Sequence, residues 1–211
     1  MRRKGILVVV SGFSGAGKGT LMKQLLQVYD NYSLSISMTT RTPRPKEKDG
    51  REYFFVTKEI FEEKIKQDGL IEYASYCENY YGTPRAYVEE QLNMGKDVIL
   101  EIEIQGALKI KEKFPTALLL FVMPPTAEEL KKRLNARGTE TPEVIEKRLE
   151  RAQEEADGIE EYDFIVINDN LNKCAEELHN LIMAAHNAPF RNEAFIENMR
   201  HELKALVKGE K

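Results

Sequence analysis

Gly12-Phe13-Ser14-Gly15-Ala16-Gly17-Lys18-Gly19-Thr20 is the stretch that decides how the rest of this chain is read. An apolar, β-branched run, Ile6–Val10, leads into it, and an amphipathic segment, Lys18–Tyr29, leads out of it. Strand, glycine-rich turn and helix therefore come in that order. The glycines let the backbone curl so that its N–H groups face inward, and a helix N-terminus adds partial positive charge. Lys18 then reaches the outer phosphates of a nucleotide. A turn kept only for tight packing would not need the lysine. The full pattern closes on Ser or Thr directly after the lysine; here Gly19 holds that place and Thr20 follows.

Outward from this turn, short apolar runs alternate with amphipathic segments. Ile6–Val10, Val98–Ile102, Ala117–Val122 and Phe164–Ile167 read as strands covered on both faces. Helical patterns occupy Lys18–Tyr29, Pro84–Met94, Ala107–Lys113, Ala127–Ala136, Pro142–Asp157 and Leu171–Asn187. Thr126 with Glu129 makes a capping box, and Thr141-Pro142 is a cap followed by proline in the first turn. The alternation predicts an α/β fold, a doubly wound parallel sheet with helices on both faces. Residues 33–83 break it. Ser33–Met38, Glu52–Val56, Leu70–Tyr76 and Tyr80–Tyr81 are short and polar or aromatic, around one helix at Lys58–Gln67, which predicts an α+β insertion into the parallel core. After Pro189, Ile196, Met199, Leu203 and Leu206 recur at spacings of three and four, too briefly for a coiled coil. A last helix packed on its own domain is the expectation, with a dimer contact as the alternative.

Composition narrows the function classes. The chain has 211 residues, 42% hydrophobic and 31% charged, with a net charge of −4. That apolar share supports a buried core, and the acidic balance excludes a polycation built for general nucleic-acid binding. The longest apolar stretch, Ala117–Met123, is far short of the ~18 residues a membrane span needs. The run after the basic N-terminus, Ile6–Val10, is shorter than the ~7–15 residues of a secretory signal core. Cys77 and Cys174 are too few for a disulfide framework or zinc site. A soluble cytoplasmic protein is expected, without nucleic-acid or membrane partners.

A second set of cations points to phosphate transfer. Arg41 and Arg44 sit in Thr39-Thr40-Arg41-Thr42-Pro43-Arg44-Pro45, where two prolines limit backbone freedom. Arg133 and Arg137 lie four apart on one helical face, and Arg148 follows on the next helix. Any one of these alone fits a solvated helix face equally well. Together with the cradle they suit two phosphates held end to end, because a donor and a monophosphate acceptor carry roughly six negative charges between them. An acceptor phosphate is already nucleophilic at neutral pH, and no Ser-His-Asp arrangement is present to serve as a base.

On Gly12–Thr20, Ser37 with Thr39–Arg44, Asp49–Phe55, Ile71–Ala74, Asn79–Thr83, Glu101–Gly106 and Arg133–Glu140, in that order, the chain resembles the guanylate kinase family. The resemblance covers about Gly5 to Ala185. It implies a P-loop NTPase-type parallel sheet flanked by helices, with a core (5–32, 84–125 and 158–185), a nucleoside-monophosphate-binding insertion (33–83) and a helical lid (126–157). The remaining 186–211 would be a C-terminal helical tail. The implied reaction is Mg²⁺-dependent phosphate transfer from ATP to GMP, by a monomer or homodimer.

Carried over residue by residue, the resemblance assigns acceptor recognition to Ser37, Arg41, Arg44, Tyr53, Glu72, Tyr81, Thr83 and Glu103. Guanine offers N1–H and N2–H₂ as adjacent donors that one carboxylate, Glu72, accepts together, and adenine lacks that pair. Ser37 or Thr83 would complete recognition at O6 or N7. Lys18, Arg41, Arg133, Arg137 and Arg148 become the catalytic cations. Gly12 through Thr20 hold the ATP phosphates, and Arg137 and Asn168 lie toward the adenine. Glu101 either orients the Mg²⁺ shell through water or is a structural acid at a strand end. Three features depart from the family pattern: Phe13 replaces a common proline, Glu103 replaces the usual Asp, and the segment beyond Ala185 carries no motif. The alternatives are a family-like binding module without catalysis and a kinase for another monophosphate.

Overall fold

The computed structural model describes residues 3–44, 47–76, 78–136 and 141–208. From the N-terminus run β1 (Leu7–Gly12), α1 (Lys18–Val28), β2 (Tyr32–Leu34), β3 (Met38–Thr39), β4 (Phe54–Phe55) and α2 (Lys58–Lys66). There follow β5 (Leu70–Tyr76), β6 (Asn79–Pro84), α3 (Arg85–Asn93), β7 (Asp97–Glu101), α4 (Ile104–Lys113) and β8 (Leu118–Met123). The last elements are α5 (Ala127–Ala136), α6 (Pro142–Ala156), β9 (Phe164–Ile167), α7 (Leu171–Ala185) and α8 (Glu193–Lys208).

Five strands form a parallel sheet in the order β2-β7-β1-β8-β9. In its middle, β1, β7 and β8 are buried almost throughout, as their unbroken apolar sequences require. Leu21, Met22 and Leu25 of α1, Ile110 of α4, and Leu178 and Ile182 of α7 join them in one core. The chain runs from β1 out to the edge strand β2, returns to β7 beside β1, and then crosses to β8 on the other side, so the cradle after β1 opens at the carboxyl ends of the central strands, where such sheets bind ligands.

The insertion builds a second sheet in the order β4-β3-β6-β5, with only the β3–β4 pair parallel. Its own small core is Phe61 of α2 against Met38 and Leu70, with the Tyr80 ring stacked on Phe61.

Four expectations need correction. Ser33 and Leu34 belong to the parallel sheet, paired with Val98 and Ile99, so a boundary at residue 33 cuts through β2. This edge strand is three residues long and half polar at the surface, too short for a periodicity to register. Phe164–Ile167 is not covered on both faces: β9 is the other edge, and Phe164, Ile165 and Ile167 are exposed. Helix α4 begins at Ile104, three residues before Ala107, because Glu103 already holds the extended backbone of an N-cap. The stripe of α8 does not pack on its own domain, since Met199, Leu203 and Leu206 are exposed.

The Thr126 hydroxyl does accept from Glu129 N, at 3.1 Å, while the Glu129 carboxylate turns to Arg133 instead of closing the box. Among the described residues no helix is long and apolar enough to cross a membrane. Cys77, Arg137 and Gly138-Thr139-Glu140 lie outside the described residues.

Candidate active site

The cradle is shaped by backbone that only glycine adopts freely. Gly12 has φ +150°, and a Cβ there would sit 2.0 Å from the Val122 carbonyl oxygen; Gly17 has φ +93°, with a Cβ 2.6 Å from Asn168 Nδ2. The first lets the end of β1 lie against β8, and the second lets the loop close on the β9–α7 turn. Behind the loop, the Ala16 carbonyl accepts from Asn168 Nδ2 at 2.8 Å and from Arg133 Nη1 at 3.3 Å. Arg133 also donates to the Asn168 carbonyl at 2.8 Å and to Glu129 at 2.8 Å. In front, Lys18 Nζ donates to the Gly12 carbonyl at 2.6 Å, and Arg148 of α6 donates to Ser14 Oγ at 2.7 Å. A cavity of about 350 Å³ opens over this loop, lined by Ser14, Gly15, Lys18, Thr20, Lys23 and Glu101.

A second cavity, of about 310 Å³, lies between the two sheets. Ser35, Ser37, Glu52, Tyr53, Thr83 and Glu101 line it, with Leu34, Leu100 and Ile102 below. Glu72 stands one hydrogen bond behind its wall: Thr83 Oγ1 donates to Glu72 Oε1 at 2.7 Å. Burial pushes the Glu72 carboxyl above the usual carboxylate range, partly opposed by the Thr83 bond and by Lys109 and Lys113. Ser35 Oγ is buried beside this cavity and, among the described residues, has no hydrogen-bond partner.

At the mouth of that cavity Arg41 lies over the Tyr53 ring at 5.4 Å and the Phe55 ring at 5.7 Å, and Tyr53 packs edge-on to Tyr81 at 5.9 Å. Glu47 fixes the arginine. Arg41 Nη2 donates to both Glu47 oxygens, at 2.9 and 3.0 Å, and the same carboxylate accepts from Arg44 N at 2.7 Å. The Arg44 side chain is exposed beside them.

Glu101, at the carboxyl end of β7, lines both cavities. Its Oε2 is 4.0 Å from where a Cβ on Gly19 would stand, so the carboxylate faces the start of α1. It opens onto the water of the cleft, yet the protein around it raises its pKa, against the pull of Lys18.

The guanylate kinase family model matches residues 4–185. A guanylate kinase of Lactococcus lactis subsp. lactis is 48% identical over 201 residues, 95% of this chain and 97% of that relative.

The chain belongs to the guanylate kinase family.

A guanylate kinase of Desulfitobacterium hafniense is 49% identical over 180 residues, covering 85% of this chain and 90% of its own. Among solved structures, the crystal structure of guanylate kinase from Anaplasma phagocytophilum superposes with a TM-score of 0.70, at 31% identity and 90% coverage of both chains.

Against the guanylate kinase pattern, Ser37, Tyr53, Thr83, Glu72, Tyr81 and Arg41 gather around one cavity, and Lys18, Arg148 and the cradle around the other. Three expected residues are placed differently. Glu103 caps α4 outside both cavities and pairs across the cleft with Arg151 of α6, at 2.5 Å. Asn168 is buried with its amide bonded to Ala16, so it holds the loop from behind and does not face a base. Arg133 shares that supporting position. Arg137 lies outside the described residues.

The sequence reading missed Ser35, Glu47, Glu52 and Arg151. Ser35 alternates with Leu34 and Ile36 just past a strand, a signal that was available. The others are charges in polar segments and look like solvated surface until the fold brings in their partners.

Proposed function

We propose that this chain catalyses Mg²⁺-dependent transfer of the γ-phosphoryl group of ATP to GMP, yielding ADP and GDP. One observation carries the reading: a polyphosphate cradle and a guanine-type pocket meet at a shared carboxylate, Glu101. An anhydride bond to the γ-phosphorus of ATP breaks as an oxygen of the GMP phosphate bonds to it. That phosphate is ionised at neutral pH, so positioning and charge supply the catalysis.

Each cluster has a role in this reading. Ionised Glu72 accepts the N1–H and N2–H₂ of guanine while Thr83 donates to the carboxylate and fixes it, and Ser37 donates at the remaining acceptor edge of the base. Arg41, Arg44, Tyr53 and Tyr81 hold the acceptor phosphate. The cradle amides and Lys18 hold the β- and γ-phosphates, and Arg148, already against Ser14, approaches the γ-phosphate as the lid closes. Arg137 completes this set from the lid. Arg133 and Asn168 keep the Ala16 turn in shape.

The Glu101 carboxylate and Thr20 hydroxyl are hard oxygen donors suited to Mg²⁺. Among the described residues no cluster of three His, Cys, Asp or Glu gathers that would hold a metal unaided, which fits an ion that arrives with the nucleotide. Bound there, it would offset phosphate charge.

In domain terms, residues 35–83 form the acceptor-binding insertion, 126–157 the lid, and the rest of 5–185 the core. Both moving parts close over the substrates and exclude water. ATP and GMP as substrates suit a cytoplasmic protein. Steady-state ADP formation from ATP and Mg²⁺, with GMP, AMP, CMP or UMP offered separately and a control without acceptor, tests the proposal. Turnover with GMP alone is expected; acceptor-independent turnover or preference for another base would overturn it.

A further inference from the structure

We propose that α8 is a self-association surface through which two copies of this chain pair with their α8 helices antiparallel. Phe195 is 66% exposed, Met199 42%, Leu203 54%, Leu206 77% and Val207 87%. Scattered exposed apolar residues are ordinary, but Met199, Leu203, Leu206 and Val207 share one helix face with the half-buried Ile196: at 100° per residue the five fall within an arc of about 100°. Among the described residues, the hydrogen bonds that tie this end of the chain down lie at the root of the helix. Arg191 donates to the Thr116 carbonyl, and Asn192 Nδ2 donates to the His186 and Ala188 carbonyls at 2.9 Å.

Three features select a second copy of the chain as the occupant. The spacing of Ile196, Met199, Leu203 and Leu206 runs three, four, three, and so reads the same in both directions. An antiparallel pair therefore stacks Ile196 on Leu206 of the second copy and Met199 on its Leu203, and the same again across the two-fold axis. The flank beside the stripe is charge-ordered, with Glu193 and Glu197 toward the N-terminus and Arg200 and Lys204 toward the C-terminus. Antiparallel pairing brings this flank against its own counterpart and sets Glu197 beside Lys204 of the second copy on both sides of the axis, whereas parallel pairing would turn the flank toward the opposite face of the second copy. Finally, a groove of about 570 Å³ runs along that flank, with Pro189, Phe190, Ala194 and Ile196 in its walls. In the antiparallel register, Leu206 and Val207 of the second copy arrive at this end of the helix.

Size sets the strength. Sixteen residues make a helix about 24 Å long. A pair of that length is small beside the roughly 1,200–2,000 Å² of stable interfaces, and the exposed Phe190 adds apolar surface at its end. The expected dimer is isologous and dissociates in the micromolar range. The proposal is independent of the catalytic reading, because α8 borders neither nucleotide cavity.

Sedimentation equilibrium of the full chain across the micromolar range tests it. The weight-average mass should rise from one chain to two, and Leu203→Glu or Leu206→Glu should weaken association about tenfold or more while ADP formation and far-UV circular dichroism stay unchanged. Glu197→Lys and Lys204→Glu should each weaken the dimer, and the double variant should regain it. A one-chain mass throughout, or a two-chain mass indifferent to Leu203→Glu, would overturn the surface. A double variant no tighter than the singles would overturn the antiparallel arrangement.

Discussion

Thr83 and Glu72 face each other because β5 carries one residue more than β6 between their paired ends. Leu70 stands opposite Pro84, yet three residues later Tyr73 stands opposite Gly82. Ile71 and Glu72 therefore share Thr83 as their partner. Such a bulge re-aims a side chain, and here it brings Glu72 Oε1 to 2.7 Å from the Thr83 hydroxyl. Among the described residues Glu72 Oε2 makes no hydrogen bond, so one carboxylate oxygen is fixed while the other is left for a ligand.

Replacing Glu72 by Gln tests that division of labour. The amide presents a donor where guanine also presents donors, so kcat/KM for GMP should fall about 10²–10³-fold while KM for ATP moves little. Stability should move the other way. Burial raises the Glu72 pKa above its ordinary 4.5, so the folded chain holds a proton that the unfolded chain has lost. The stability from that proton is complete below 4.5 and gone once pH passes the folded value. At pH 7 the ligand-free Gln variant should melt above the parent; in acid the two should converge. Thermal melts at both pH values check this.

The same shift predicts an acid limb in GMP binding. In the proposed function guanine pairs with the ionised carboxylate, so GMP must displace the Glu72 proton when pH lies below its folded value. KM for GMP should then rise about tenfold per pH unit on acidification. The GMP phosphate has its own ionisation near 6, and the Gln variant separates the two causes. Its profile should keep the phosphate limb and lose the one due to Glu72.

The cradle was legible because its signal is local. Glycines at 12, 15 and 17 and the lysine at 18 have their meaning within one turn, and the flanking strand and helix are long enough to show their patterns. The central strands were legible for a similar reason, being apolar without interruption. β2 was not, since a three-residue edge strand has no period, and its partners Val98 and Ile99 are more than sixty residues away. The roles of Glu103, Asn168 and Glu47 also depend on distant or non-repeating partners. Glu103 read as a substrate contact from its place in a motif, yet its carboxylate pairs with Arg151. The α8 stripe was visible, but its periodicity says only that one face is apolar and not what covers it.

Asn168 and Lys18 should give different kinetic signatures. In the proposed function Lys18→Ala removes a donor to the transferring phosphate, and it should lower kcat by roughly 10²–10³-fold with the fold intact. Asn168→Ala removes the 2.8 Å bond to the Ala16 carbonyl and leaves a buried acceptor supported only by Arg133, at 3.3 Å. The loop then loosens without losing a catalytic group. KM for ATP should rise several-fold, with a smaller fall in kcat and a lower melting temperature. Steady-state kinetics at saturating GMP distinguish the two. A kcat loss for Asn168→Ala as large as that for Lys18→Ala would mean that Asn168 touches the substrate.

Glu47 decides whether the Arg41 clamp is preorganised or blocked. Both oxygens of the carboxylate lie within hydrogen-bond reach of Arg41 Nη2, and both side chains are about 15% exposed. The Arg44 amide, followed by Arg41, holds the Glu47 carboxyl below the usual carboxylate range, so it stays ionised across the assay range. Were it merely occupying the place of the acceptor phosphate, removing it would tighten GMP. The rings argue otherwise. Arg41 rests on Tyr53 and Phe55 because Glu47 pins its far side, and Tyr53 in turn packs on Tyr81. Loss of the pin releases a flexible side chain that must be ordered again on every binding event. Glu47→Ala should therefore raise KM for GMP about three- to tenfold, with kcat nearly unchanged and KM for ATP untouched. Glu47→Gln, which keeps one acceptor, should recover part of the loss. A KM for GMP below that of the parent would show that the carboxylate competes with the phosphate.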